Sequence, residues 1–276
     1  MVKMMKMKTI IMSVTAVLLA VCLSGCSVGQ DSNKSDMTIK EGIYRKIVYS
    51  LVSSAENSSL DYAEQYSYIE DIGDGRGYTA GIIGFTSGTG DLLEVINRYI
   101  ELKPTDNVLQ KYVSALEQVN GSDSHVGLRD DFISDWQKAS NDSEMIQAQD
   151  EIVDEMYMDT AVKYANRDGL SLLGEFIYYD ALVVHGPGND EDSFGGIRGA
   201  AIREVKTPVD GGAEGEYLLA FLDARSIIMM KEEAHSDLSR IEAQRNFIHD
   251  GNYNLSLPLI WTMYGDDYEL SEEDLK

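Results

Sequence analysis

The sequence predicts a mainly α-helical (α+β) fold with a small β portion. Three observations predict it. Apolar residues recur at helical spacing in segment after segment, strand-like residues gather in one glycine-rich stretch near the front, and no internal repeat is visible. At 276 residues, 43% hydrophobic and 25% charged, the chain has ordinary globular composition, enough for one large domain or two lobes sharing a core.

The first helix carries Ile43, Ile47, Val48, Leu51 and Val52 on one side and ends near Glu56. Residues 69–84 hold too much glycine for helix and predict a small turn-linked sheet around Tyr78-Thr79 and Ile82-Ile83. After Asp91, Leu92, Val95, Ile96 and Tyr99 give a second helix, with the acid well placed at its start. Val108, Tyr112, Leu116 and Val119 give another, closed by Asn120-Gly121, and 132–138, 145–159 and 160–166 add helical pieces. The run 170–184, with Leu172, Leu173, Phe176, Ile177, Ala181 and Val184, is apolar enough to be a long, buried central helix. It stops at His185-Gly186-Pro187-Gly188, where a glycine-rich loop continues through Gly195-Gly196, and 217–235 is the last strong helix.

The front of the chain reads as a targeting segment. Lys3, Lys6 and Lys8 precede an apolar run from Ile10 to Leu23 that closes with Leu23-Ser24-Gly25-Cys26. This is similar to a bacterial lipobox, in which Cys26 is lipidated; a plain secretory peptide is the simpler alternative. Residues 1–26 are thus expected to be the leader, 27–38 a polar tether and 39–276 the folded domain. Cys22 and Cys26 are the only cysteines, so the mature domain must stand without a disulfide.

The net charge is −24, and without the three leader lysines it is −27. Such a field repels nucleic acid and anionic lipid and attracts a polycation. No nucleic-acid partner is expected, and a membrane contact only through Cys26.

Two acids stand in opposite settings. Glu56, in Ser53-Ser54-Ala55-Glu56-Asn57, closes an amphipathic helix where a carboxyl group can sit half-buried. Asp74, in Gly73-Asp74-Gly75-Arg76-Gly77-Tyr78-Thr79, lies among glycines with Arg76 in reach to hold it ionised. One acid pushed towards the neutral form and one held charged is the pairing that glycosidic hydrolysis needs. The bland reading of any single carboxylate is a solvated surface group. Asp71 to Gly75 could be a calcium loop, but it lacks the alternating acids and distal Glu of an EF-hand. The loop 84–91 looks like a phosphate cradle, yet no Lys follows and Asp91 has the wrong sign. That loop suits a sugar instead, with Asp91 for an ammonium. Ser193 has no nucleophile elbow around it, and His125, His185, His235 and His249 show no metal-ligand spacing. No metal or cofactor is expected. Asp180 on the apolar face of the central helix, and Arg225 within another apolar helix, are expected to pair in the core.

With these residues in view, the chain resembles the family 46 chitosanases over about residues 43–264. The resemblance rests on Ser53 to Leu60, Tyr68 to Thr79, Gly84-Phe85 with Ser87 to Asp91, Tyr179-Asp180, His185 to Asp190, Ser193 to Arg198 and Phe221 to Arg225. It implies a lysozyme-like fold of two lobes flanking a cleft, joined by the long central helix. It also implies inverting endo-hydrolysis of chitosan, with glucosamine oligosaccharides as ligands. Glu56 would be the general acid, Asp74 the general base, and Thr79 would position the water. Asn57, Ser58, Tyr68, Arg76, Asp91, His185 and Pro187 would contact sugar. Asp180, Arg225 and Arg240, with Glu232 near them, would form an interior charge network. A secreted or surface-anchored monomer is the expectation. A muramidase shares the plan, but its substrate is anionic; a lipoprotein that only binds amino sugars would not need the acid pair.

Overall fold

A computed structural model describes residues 37–128, 131–231 and 237–276, and Met37–Lys276 forms one compact unit. Ten helices are described: α1 (Gly42–Asn57), α2 (Asp91–Leu102), α3 (Val113–Val119), α4 (Phe132–Ala139), α5 (Ser143–Val153), α6 (Asp159–Asp168), α7 (Leu172–His185), α8 (Phe194–Glu204), α9 (Glu214–Met229) and α10 (Ser239–His249). Strands β1 (Ile69–Asp71), β2 (Tyr78–Ala80) and β3 (Phe85–Thr86) form one antiparallel sheet, and β4 (Leu259–Met263) pairs with β5 (Asp266–Leu270) in a hairpin.

The expected central helix is α7. Every residue from Leu172 to Leu182 is buried, which an all-round apolar helix requires. Ser171 caps its start by accepting from the Gly174 N–H at 3.5 Å. It ends at Gly186, whose φ of 70° turns the chain away. Helix α1 buries Ile47, Val48, Leu51 and Val52 against the core and carries its last turn out to the surface. The segments expected at 145–159 and 160–166 form one nearly continuous run, α5 and α6 joined by a π-helical turn over Asp154–Met158.

Three elements differ from the sequence expectation. The loop expected through Gly195-Gly196 is the start of α8. Its glycines are there for close approach: a Cβ on Gly195 would lie 2.4 Å from Asn189 Oδ1, and one on Gly196 would lie 2.0 Å from the Asp190 carbonyl. Helix α10 buries Arg240 and Gln244 as well as Ile241 and Phe247, so its inner face is partly polar and its period is hidden. The β4–β5 hairpin was also not expected, although Leu259–Met263 alternates buried and exposed residues as a half-buried strand should. Within the front sheet, Ile82-Ile83 lies in the turn between β2 and β3 rather than in a strand.

Candidate active site

The last turn of α1 places Ser53, Glu56 and Asn57 at the rim of a cleft of about 410 Å³. The β1–β2 loop and β2 (Ile72, Arg76, Thr79) also line it, with Tyr68 and with Tyr179 of α7. Helix α1 stops here because Ser58 adopts a left-handed conformation, φ 52°, which breaks the helical ladder just after the acid.

Glu56 is exposed, its side chain at 46%, rather than half-buried. Its setting is also ionic. Arg240 Nη1 donates to Glu56 Oε1 at 2.5 Å. The other end of the same guanidinium is bound to Asp180, Nε donating at 3.0 and 3.2 Å and Nη2 at 2.6 Å. Arg225 Nη1 donates to Asp180 Oδ2 at 2.6 Å and Gln244 Nε2 does so at 2.7 Å. Asp180 and Arg225 have side chains 2% and 0% exposed, so the pair expected in the core is there. Burial pushes the Asp180 carboxyl up, but Arg240 and Arg225 outweigh it and hold the group well below the usual carboxylate range. The network is therefore a rigid ionic stem that starts in the core and ends on Glu56.

Asp74 sits in a loop with three left-handed glycines, Gly73, Gly75 and Gly77. Its Oδ1 accepts from the Arg76 backbone N–H at 3.0 Å, and its Oδ2 accepts from Arg76 Nε at 2.7 Å. The Arg76 hydrogen bond, joined by its charge, holds the Asp74 carboxyl below its ordinary value. Thr79 lies on β2 opposite Glu70 and Thr86. Its Oγ1 is buried on the cleft wall and has no hydrogen-bond partner among the described residues, which suits it to hold a water.

The remaining expected residues divide. Asn57, Tyr68 and Arg76 line the cleft with Glu56 and Thr79. Ser58, Asp74, Asp91, His185 and Pro187 are not among its lining residues. Asp91 Oδ1 accepts from the backbone N–H groups of Thr86 and Leu92 and from the Thr89 hydroxyl, at 2.7, 2.9 and 2.8 Å. It therefore orders its own loop. Burial raises the nearby Tyr157 phenol, and the Asp91 charge adds to that against Arg76. His185 Nε2 accepts from Arg225 Nε at 3.2 Å, which ties it to the ionic stem. Glu232 and Cys26 lie outside the described residues. Sequence reasoning missed Gln244, whose spacing of four from Arg240 puts both on one face of α10. It also missed Tyr179, adjacent to Asp180 on a helix buried all round. Among the described residues, no group of three His, Cys, Asp or Glu could hold a metal ion.

Residues 50–259 match glycosyl hydrolase family 46. The chain belongs to that family. It is 50% identical over 269 residues to a chitosanase of Streptomyces sp. (strain N174), covering 95% of this chain and 96% of that protein. It is 54% identical over 228 residues to a chitosanase of Nocardioides sp. (strain N106), covering 82% and 81%. Among solved structures, chitosanase OU01 co-crystallised with substrate superposes with a TM-score of 0.78 at 52% identity, over 85% of this chain and 99% of that one. The Gynuella sunshinyii GH46 chitosanase with chitotetraose gives 0.71 at 32%, over 82% and 96%. The mainly helical, lysozyme-like architecture with its central helix is that of the family.

Proposed function

We propose that this glycoside hydrolase cleaves β-1,4 bonds within chitosan by an inverting acid/base mechanism. Glu56 gives a proton to the leaving glycosidic oxygen, and Asp74 removes a proton from a water that attacks the opposite face of the sugar ring. Thr79 Oγ1 holds that water, and Arg76 keeps Asp74 ionised. Asn57, Ser58, Tyr68, Asp91, His185 and Pro187 supply sugar contacts, Asp91 through its negative charge on a glucosamine ammonium. The observation that carries the reading is one cleft lined together by Glu56, by the Arg76 that grips Asp74, and by Thr79, whose hydroxyl has no hydrogen-bond partner among the described residues.

The substrate class follows from charge and kinship together. A chain of net −24 attracts protonated amines and repels the anionic polymer that a muramidase needs. Its relatives named above are chitosanases. We further infer a secreted monomer, with residues 1–26 as leader, Cys26 as a lipid attachment point, 27–38 as tether and 39–276 as catalytic domain. Among the described residues no helix is long and apolar enough to cross a membrane.

Proton NMR of the first oligosaccharides released from chitosan tests the mechanism. Inversion at a β bond gives α-anomers before mutarotation. Initial β-anomers would show retention and remove Asp74 from the role of general base.

A further inference from the structure

The loop that carries Asp74 is closed by one cross-strand pair. Asp71, the last residue of β1, stands opposite Tyr78, the first of β2, and residues 72–77 run between them. Gly73, Gly75 and Gly77 are left-handed, and a Cβ on Gly73 or Gly75 would meet no heavy atom within 4 Å among the described residues. The tip is therefore held through its two ends rather than by side chains packed around it.

His125 touches both ends. Its ring stacks on that of Tyr78, with centroids 4.1 Å apart and planes 17° from parallel. Its Nε2 lies 3.5 Å from Asp71 Oδ2. An imidazole N–H turned to a carboxylate attracts it in either charge state of the ring. The other Asp71 oxygen accepts from the N–H of Gly73, the residue before Asp74, at 2.9 Å. On the β2 side the Tyr78 N–H donates to Ser87 Oγ at 2.9 Å, and the Gly88 N–H donates to the Arg76 carbonyl at 2.8 Å. The segment that carries His125 is itself tied down: the Gly121 N–H donates to the Gly88 carbonyl at 2.7 Å, and the His125 carbonyl accepts from the Leu128 N–H at 3.1 Å.

Neither contact of His125 is strong enough to decide the fold, since the His125 and Asp71 side chains are 35% and 42% exposed. Both lie where a small shift reaches Asp74, and a misplacement of about 1 Å between reacting groups costs about a hundredfold in rate. We propose that His125 is a positioning residue for the reaction. Its ring bolts Asp71 to Tyr78 across the neck of the loop and so fixes where Asp74 stands towards the attacking water. The proposal rests on Asp74 as the general base.

The test measures kcat and KM for reducing-end release from chitosan for the wild type, His125→Ala, His125→Phe, Asp71→Asn, the His125→Phe/Asp71→Asn double variant and Asp74→Asn. Assays run well below each thermal midpoint, so that a merely destabilised protein keeps its kcat. His125→Ala, which loses both contacts, is expected to lower kcat about ten- to a hundredfold with KM little changed and the midpoint down by a few degrees at most. His125→Phe keeps the stack on Tyr78 and is expected to lose less. The double variant is expected to match the worse of its two single variants, because both remove one contact. Wild-type kcat in His125→Ala overturns the proposal, and so does a change confined to KM, which would make the residue a substrate contact. Multiplying losses in the double variant overturn it too, since His125 and Asp71 would then act apart. A fully active Asp74→Asn would instead overturn the assignment of the base itself.

Discussion

Arg240 Nη1 lies 2.5 Å from Glu56 Oε1, while the same guanidinium grips the buried Asp180 through Nε and Nη2. Glu56 is therefore mounted on a charge network whose other end is in the core. Asp180→Asn leaves Arg225 and Arg240 buried without their counter-charge. Removing one partner of a buried pair costs about 3–5 kcal/mol. Urea unfolding of Asp180→Asn and of Arg225→Ala is expected to show losses of that order, with activity at saturating substrate falling in the molecules that stay folded. A loss well under 1 kcal/mol would mean the network is not what holds this region.

Arg76→Ala acts on another part of the cleft lining. Arg76 holds the Asp74 carboxyl low, so Asp74, the proposed base, stays ionised towards acid pH. Without that guanidinium Asp74 takes up its proton at higher pH. The acid limb of the kcat/KM profile is expected to move upward in this variant. An unmoved limb would assign it to another group.

Stability should peak on the acid side of neutrality. Burial raises the carboxyls of Asp150 and Asp154 above their ordinary value, against Tyr66 and Arg45. Their folded forms bind protons first, so the folded state gains as pH falls through their raised pKa values. Relief of the large negative charge works in the same direction. Asp180 has the opposite sign: its stabilisation is present above the unfolded pKa and is lost as pH falls through its depressed folded value. Surface carboxylates held low by cations, such as Asp142 with Lys103 and Glu151 with Arg98, lose theirs in the same acid range. The thermal midpoint is expected to rise from pH 7 towards about 4, the ordinary aspartate value, and to fall below it. A midpoint that declines steadily from pH 7 downward would mean that the low-held carboxylates outweigh the buried pair throughout.

Substrate capture should weaken with salt. Attraction between an acidic protein and protonated amines is screened over about 10 Å at 0.1 M ionic strength. KM for chitosan oligosaccharides is expected to rise as sodium chloride is added, with kcat little changed. A flat KM would point to hydrogen bonding rather than charge as the source of affinity.

The parts of this molecule that were legible in the sequence are those written locally. The apolar run of α7 announced a buried helix, and Asp180 on it announced an ion pair. The glycines around Asp74 announced a tight loop, and Arg76 two residues on announced its partner. Helix α8 was hidden because its glycines serve close packing against residues 188–191 rather than ending a helix. The contact between Glu56 and Arg240 spans 184 positions, and no local pattern can encode it. Asp91 shows the same limit. Its charge suggested a ligand, while the structure shows one oxygen already engaged in ordering the loop that carries it.

Proton exchange by Glu56 and Asp74 is tested most directly by the initial rate of reducing-end release from chitosan by Glu56→Gln and Asp74→Asn beside the wild type. Each substitution keeps the side chain's shape and removes only its capacity to exchange a proton. A fall in kcat of about a hundredfold or more is expected for each, with thermal midpoint and oligosaccharide binding retained. A wild-type rate in either variant would rule that residue out as the acid or the base.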